Sequence, residues 1–195
     1  MTLKKYFPIV VSSPSGGGKS CICNEILKRN KNILYSISYT TRPPRENEID
    51  GKDYYFVSKK KFRKMRRNGE FLEWAKVHKH YYATSKRCGQ VSVVYWLLII
   101  LDIDTKGTKK FLKRMPEALS IFLFPPSMKV LEKRLRNRNT DDEKTIQLRL
   151  RNARKEIGDS WYYNLFFIND KISIVVDKIL KEIENKSVGP GAQPV

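Results

Sequence analysis

From Val10 to Ser20 the chain reads Val-Val-Ser-Ser-Pro-Ser-Gly-Gly-Gly-Lys-Ser, and the chemistry this run could do is the capture of phosphate. Gly16, Gly17 and Gly18 let the backbone curl until successive N–H groups point at one anion. Lys19 adds a compact positive charge, and Ser20 a hydroxyl suited to a hard cation. An apolar strand, Phe7 to Val11, leads in, and a helical pattern (Ile22, Ile26, Leu27) leads out, so the partial positive charge of a helix N-terminus joins the same spot. Strand, glycine turn and Lys-Ser at a helix start make a phosphate-binding P-loop, in which Lys19 reaches the β- and γ-phosphates and Ser20 ligates Mg²⁺. The strict pattern has glycine where Ser13 stands, but Ser13 is small and the glycine run keeps the turn supple. An ordinary glycine-rich connection would not require Lys-Ser at the helix start.

The elements that must position this loop can be read from hydrophobic periodicity. A first helix covers about Lys19 to Lys28, and Ile33 to Ser38 forms a short strand. Thr40 to Glu48, with two prolines and alternating charges, is a loop, Asp50-Gly51 a turn, and Tyr54 to Val57 a strand. Lys59 to Arg67 is a basic helix, seven of its nine residues Lys or Arg, with Phe62 and Met65 as its contact face. Phe71 to Val77 and Tyr81 to Thr84 alternate as hairpin strands. Leu97 to Asp104 reads as a buried parallel strand closed by Asp102 and Asp104, at the end where open α/β sheets bind ligands. Gly107 to Arg114 is a helix, Leu119 to Phe124 a buried strand, and Ser127 the cap of the next helix. Asp141-Asp142-Glu143 opens another helix, with acids suited to its first turn. Phe166 to Ile168 reads as the last core strand, Ile172 to Ile183 as a closing amphipathic helix, and Ser187 to Val195 as a disordered tail. Alternating strands and helices predict an α/β fold, a parallel sheet flanked by helices with the P-loop at its first βα turn. Residues 38 to about 86 form a sheet-rich insertion.

Bulk properties bound the remainder. A chain of 195 residues with 41% hydrophobic content suits one domain with a real core. Lys and Arg number 39 against 20 Asp and Glu, a net charge of +19, which attracts polyanions unless it is a solvated surface. Cys21, Cys23 and Cys88 lack metal-binding spacing and read as reduced thiols. His78 and His80 flank Lys79 in what reads as a solvated turn, with too few ligands for a metal. Met1 to Lys5 runs straight into the first strand, leaving no signal peptide, and the longest apolar run, Val91 to Leu101, is too short to span a bilayer. A cytoplasmic location is expected, without a membrane partner and without a specific nucleic-acid partner; self-association is compatible with the sequence.

Several further motifs, in order, resemble the guanylate kinases over roughly residues 5 to 185. They are Ser36 to Phe56 (Ser-Ile-Ser-Tyr-Thr-Thr-Arg-Pro-Pro-Arg-Glu-Asn-Glu-Ile-Asp-Gly-Lys-Asp-Tyr-Tyr-Phe), Glu70 to Ala75, Tyr81 to Thr84, Leu101 to Asp104, Pro125-Pro126-Ser127 and Ile168-Asn169-Asp170. The resemblance implies a P-loop kinase fold with a GMP-binding insertion and a mobile lid. It implies transfer of the γ-phosphoryl group of Mg·ATP to GMP, and also to dGMP, in purine nucleotide metabolism. Ser13, Pro14, Ser15, Gly16, Gly17, Gly18, Lys19, Ser20, Cys21 and Asn169 are then ATP-binding, with Asn169 near the adenine. Arg42 and Arg45 clamp the GMP phosphate with forked guanidinium bonds, helped by Tyr54 and Tyr82. Glu73 accepts from guanine N1–H and the 2-amino group, donors that adenine lacks. Ser38 and Thr84 complete base recognition, Glu48 supports the loop, and Asp104 lies near the guanine. Asp102 faces Mg²⁺ through water, alongside Ser20. Arg134, Arg138 and Arg149 belong to the lid and, with Lys19 and Arg42, form the catalytic set.

The same resemblance divides the chain into a core (about 1–37, 87–133 and 156–186), a GMP-binding subdomain (about 38–86), a lid (about 134–155) and the tail 187–195. The chain departs from the family pattern at Asn47 and Ala83, where glycines are usual, at Thr105-Lys106, and most of all between Lys86 and Ile100, where Val91 to Trp96 reads as strand instead of helix. The competing reading is a guanylate-kinase-like module that binds phosphopeptides without catalysis; retention of Lys19, Ser20, Asp102 and the lid arginines weighs against it. A related kinase for another phosphate acceptor is opposed by the set Ser38, Glu73 and Thr84.

Overall fold

A computed structural model describes residues 7–77, 79–86, 98–137 and 141–188. Among these, two sheets form. The larger is parallel, with strands β1 (Pro8–Ser12), β2 (Ile33–Tyr35), β7 (Leu98–Asp102), β8 (Leu119–Phe124) and β9 (Leu165–Ile168) in the order β2-β7-β1-β8-β9. Its strands are near-continuous apolar runs because helices cover both faces. Successive residues of β1 serve opposite layers. Ile9 and Val11 pack with Ile22 and Ile26 of helix α1 (Lys19–Arg29) and with Val176 and Ile179 of helix α6 (Ile172–Val188). Val10 turns the other way, to Leu101 and to Phe111 of helix α3 (Thr105–Leu112).

The smaller sheet is the insertion. Strands β3 (Tyr39–Thr40), β4 (Tyr55–Phe56), β5 (Phe71–Val77) and β6 (His80–Ser85) run in the order β4-β3-β6-β5, with the 71–85 hairpin antiparallel. Helix α2 (Lys59–Arg67) covers it, capped by the Ser58 hydroxyl and burying Phe62 and Met65 against Phe71 and Ala83. The methyl of Ala83, where the family pattern has glycine, is thus part of this small core.

Helices α4 (Met128–Arg136) and α5 (Glu143–Gly158) pack through Leu131, Leu135, Ile146 and Leu150. Ser127 caps α4 and Asp142 caps α5, as their positions in the sequence require. The helix that bears Arg134 begins at Met128, within the stretch expected to be core.

Four readings change. Strand β9 is an edge strand, not a core strand, and Phe166 and Ile168 are exposed. Helix α6 continues to Val188, so Ser187 and Val188, expected in a disordered tail, are helical; 189–195 lie outside the described residues. Helix α3 starts at Thr105, two residues before Gly107, because Asp104 caps it. His80 opens β6, where a solvated turn was expected, while His78 lies outside the described residues. The strand expected over Val91 to Trp96 and Cys88 also lie outside them. No described helix is long and apolar enough to cross a membrane.

Candidate active site

β1 is the middle strand of its sheet, and the turn after it carries the glycine run. Gly16 and Gly18 take positive φ, 90° and 87°, which lets the backbone fold round an anion-sized hollow. Gly17 leaves no room for a side chain: a Cβ there would lie 2.8 Å from Ser13 and 2.9 Å from the Pro14 carbonyl. Helices α2, α3, α4 and α5 each have a side chain capping the first turn, whereas α1 begins at Gly18 without one. The first-turn N–H groups of α1 are therefore left for a ligand.

Lys19 and Ser20 meet the C-terminal end of β7. Lys19 Nζ lies 2.5 Å from Asp102 Oδ1, and the Ser20 hydroxyl donates to Asp102 Oδ2 at 3.3 Å. Burial alone would lower the pKa of Lys19, but the Asp102 carboxylate overrides it and holds the ammonium charged. Ser20 and Asp102 present a hydroxyl and a carboxylate oxygen at one point, which fits Mg²⁺, a cation content with one or two protein oxygens beside phosphate and water. Among the described residues no cluster of three His, Cys, Asp or Glu exists that would favour a dedicated metal cage.

Two lid arginines arrive from the far side. Arg134 donates to the Asn169 carbonyl at 3.1 Å, and its Nη1 is buried close to Gly18 without a partner among the described residues. Arg149 pairs with Asp141 at 3.1 Å, and its Nη1 lies 3.5 Å from the Ser15 hydroxyl. Asn169 donates its amide to the Gly17 carbonyl at 2.7 Å, while its Oδ1 is buried without a partner among the described residues. The orphaned nitrogen of Arg134 beside a glycine cradle is what an absent phosphate would leave. Arg138 lies outside the described residues. Cys21 is exposed and lines the cleft next to Ser20.

The same cleft continues to the insertion, where Ser38, Arg45, Tyr54, Glu73 and Tyr82 line it. Glu73 is 5% exposed; Thr84 donates to its Oε1 at 2.9 Å, and its Oε2 has no partner among the described residues. Burial pushes its pKa up to about 7, opposed by the Thr84 bond and assisted by the Asp104 carboxylate. A buried carboxylate oxygen without a donor, on a residue that lines the cleft, is an acceptor in waiting. The rings of Tyr54 and Tyr82 meet edge to face at 6.0 Å, and burial pushes the Tyr54 hydroxyl up to about 12.

Arg42 is otherwise engaged. Its two terminal nitrogens lie 2.8 Å from the two oxygens of Glu48, and the guanidinium sits over the rings of Tyr54 and Phe56. Glu48 also accepts from the Arg45 backbone N–H at 2.8 Å, so it braces the loop as expected. Arg42 is absent from the cleft wall in this arrangement, whereas Arg45, 53% exposed, reaches it. Asp104, placed near the guanine by sequence, caps α3 by accepting from Gly107 N–H at 2.9 Å and still borders the cleft.

Asn152 and Glu156 line the cleft beside Arg149 and had no place in the sequence reading. Burial pushes the Glu156 pKa up to about 7, with Asp104 adding to it and Lys19 and Lys106 opposing. The spacing 149, 152, 156 puts all three on one face of α5, a signal available in the sequence once Arg149 was chosen.

A family model described as guanylate kinase matches residues 5–186. A guanylate kinase of Carboxydothermus hydrogenoformans is 45% identical over 177 residues, 91% of this chain and 87% of that one. One from Rickettsia prowazekii is 42% identical, covering 88% and 87%. The crystal structure of guanylate kinase from Anaplasma phagocytophilum superposes with a TM-score of 0.79 at 32% identity, over 96% of this chain and 89% of that one.

Proposed function

The chain belongs to the guanylate kinase family, and from that premise we propose that it transfers the γ-phosphoryl group of ATP to GMP, giving ADP and GDP. The observation that carries the reading is one cleft lined both by the P-loop and by Glu73, whose buried Oε2 lacks a donor among the described residues. Guanine N1–H and the 2-amino group supply donors of the right kind; an AMP ring supplies neither and would leave the carboxylate unpaired. Ser38 and Thr84 stand beside it. Arg45, Tyr54 and Tyr82 bind the GMP phosphate, with Arg42 delivered to the same anion as its pairing with Glu48 loosens. The side chains named for GMP read base and phosphate, so dGMP serves as a second acceptor.

At the other end the P-loop amides cradle the ATP phosphates, and Asn169, which braces Gly17, borders the adenine. Lys19 exchanges Asp102 for the β- and γ-phosphates. Ser20 and Asp102 would hold Mg²⁺, which when bound neutralises phosphate charge. Arg134 and Arg149, joined by Arg138, bring charge to the transferring group. The acceptor oxygen of GMP is already anionic, so no side chain need act as base; positioning and charge neutralisation do the work. A subdomain of about residues 38–86 and a lid of about 134–155 closing together would exclude water and limit ATP hydrolysis. We place the reaction in the cytoplasm, in purine nucleotide metabolism.

The test is the initial rate of phosphoryl transfer from Mg·ATP to GMP, AMP, CMP and UMP, with Lys19→Ala as control. Turnover with GMP alone, lost in the control, is expected. A folded, monodisperse protein inactive with every acceptor would overturn the assignment and favour the non-catalytic phosphopeptide-binding module.

A further inference from the structure

Glu73 lies on β5, an edge strand of the insertion, whose outer backbone carbonyls have no strand to pair with among the described residues. Two cations from the core fill that edge. Lys110, in α3, donates to the Trp74 carbonyl at 2.7 Å, and its ammonium sits 4.6 Å from the centre of the Trp74 ring. Arg114, four residues on, donates to the Leu72 carbonyl and lies 3.5 Å from that of Phe71. The carbonyls immediately before and after Glu73 are thus both held from the same helix end. The pairing of β5 with β6 also slips register between Phe71 and Glu73, an irregularity of the kind that re-aims a side chain. Arg66 of α2 also lies over the Trp74 ring, at 4.8 Å, so the ring meets one cation of the insertion and one of the core.

We infer that Lys110 and Arg114 are positioning residues for Glu73, pinning the irregular edge of β5 to α3 so that the carboxylate is presented to the guanine. The inference rests on Glu73 reading the base. The two cations differ in a second respect. Lys110 faces the Glu73 carboxylate electrostatically and favours its charged form, which Asp104 opposes and the Thr84 bond from β6 supports; Arg114 is not among the groups that bear most on it. Lys19, Arg45, Asp102, Arg149 and Glu156 are the other charged groups lining the cleft that Glu73 faces.

The experiment compares Lys110→Met, Lys110→Arg and Arg114→Met with the unaltered chain. Its readouts are KM for GMP and for ATP, kcat, and the acid limb of kcat/KM for GMP. Lys110→Met is expected to raise KM for GMP about three- to tenfold, the scale of one cation–π contact plus one hydrogen bond, with KM for ATP unchanged. Its acid limb should move up by roughly half a pH unit. Lys110→Arg should restore both. Arg114→Met should raise KM for GMP and leave the limb in place. Lys109→Met, altering a neighbour whose ammonium faces the Tyr162 ring, should change nothing. An unchanged KM for GMP in Lys110→Met, an equal rise for both substrates, or a selective rise with an unmoved limb each overturns the inference. Failure of the unaltered chain to phosphorylate GMP would instead overturn the functional reading beneath it.

Discussion

One oxygen atom, Glu73 Oε2, is the strongest pointer to the acceptor. Replacing the carboxylate in Glu73→Gln presents an N–H to a guanine donor, and KM for GMP should rise on the order of a hundredfold or more while ATP affinity holds. Isothermal titration with each nucleotide checks this. The pH dependence follows from burial. With its pKa raised to about 7 from an ordinary 4.5, Glu73 carries a proton in the free protein at mildly acid pH. GMP binding near pH 6 should therefore expel a proton, detectable as a binding heat that varies with buffer ionisation, and the release should be smaller in Glu73→Gln, where only the GMP phosphate, with its second pKa of about 6, and Glu156 remain as sources. For stability the sign is the reverse of that for a salt-bridged acid. The contribution of Glu73 is complete below 4.5 and is lost as pH rises through 7, so the melting temperature of Glu73→Gln should fall less than that of the unaltered chain across that window. Glu156 titrates over the same range and contributes equally to both proteins. The type and place of Glu73 were legible in the sequence from its motif; its burial and missing partner were not, because both depend on Thr84 and on α3, brought up from elsewhere in the chain.

At the scale of elements, α2 was fully legible. Ser58 supplies the cap, Phe62 and Met65 stand three apart, and Asn68-Gly69 stops the helix, so local rules alone fix its ends. Phe62 is 1% exposed among Phe71, Met65 and Ala83, and Phe62→Ala should cost about 3–5 kcal/mol in denaturant unfolding. The misreading of β9 has the opposite origin. Leu-Phe-Phe-Ile looks like buried strand in any window, but strand order places it at the edge, and order is a property of the assembled sheet. Asp104 shows a third case, one side chain serving an element and a site together. Gly107, in the turn that Asp104 caps, would direct a Cβ to within 2.8 Å of both Asp104 Oδ1 and Glu73 Oε2. Gly107→Ala should therefore lower the melting temperature and raise KM for GMP at least tenfold by crowding the acceptor.

For the whole molecule the salient quantity is charge. With +19 and two polyanionic substrates, kcat/KM for GMP at subsaturating ATP should fall several-fold between about 50 and 500 mM salt, as screening shortens the reach of the field. Stopped-flow nucleotide association across that range checks it, and a flat response would assign the excess charge to the solvated surface. Composition gave that charge without its layout; residue order already groups seven of the cations in α2, and folding keeps that helix out of the cleft lining. The bond from the Asn169 amide to the Gly17 carbonyl spans 152 positions of sequence. During synthesis the phosphate-binding turn leaves the ribosome 152 positions ahead of the residue that braces it. A nascent chain therefore carries its nucleotide motif through 152 further positions before that motif gains the brace from Asn169.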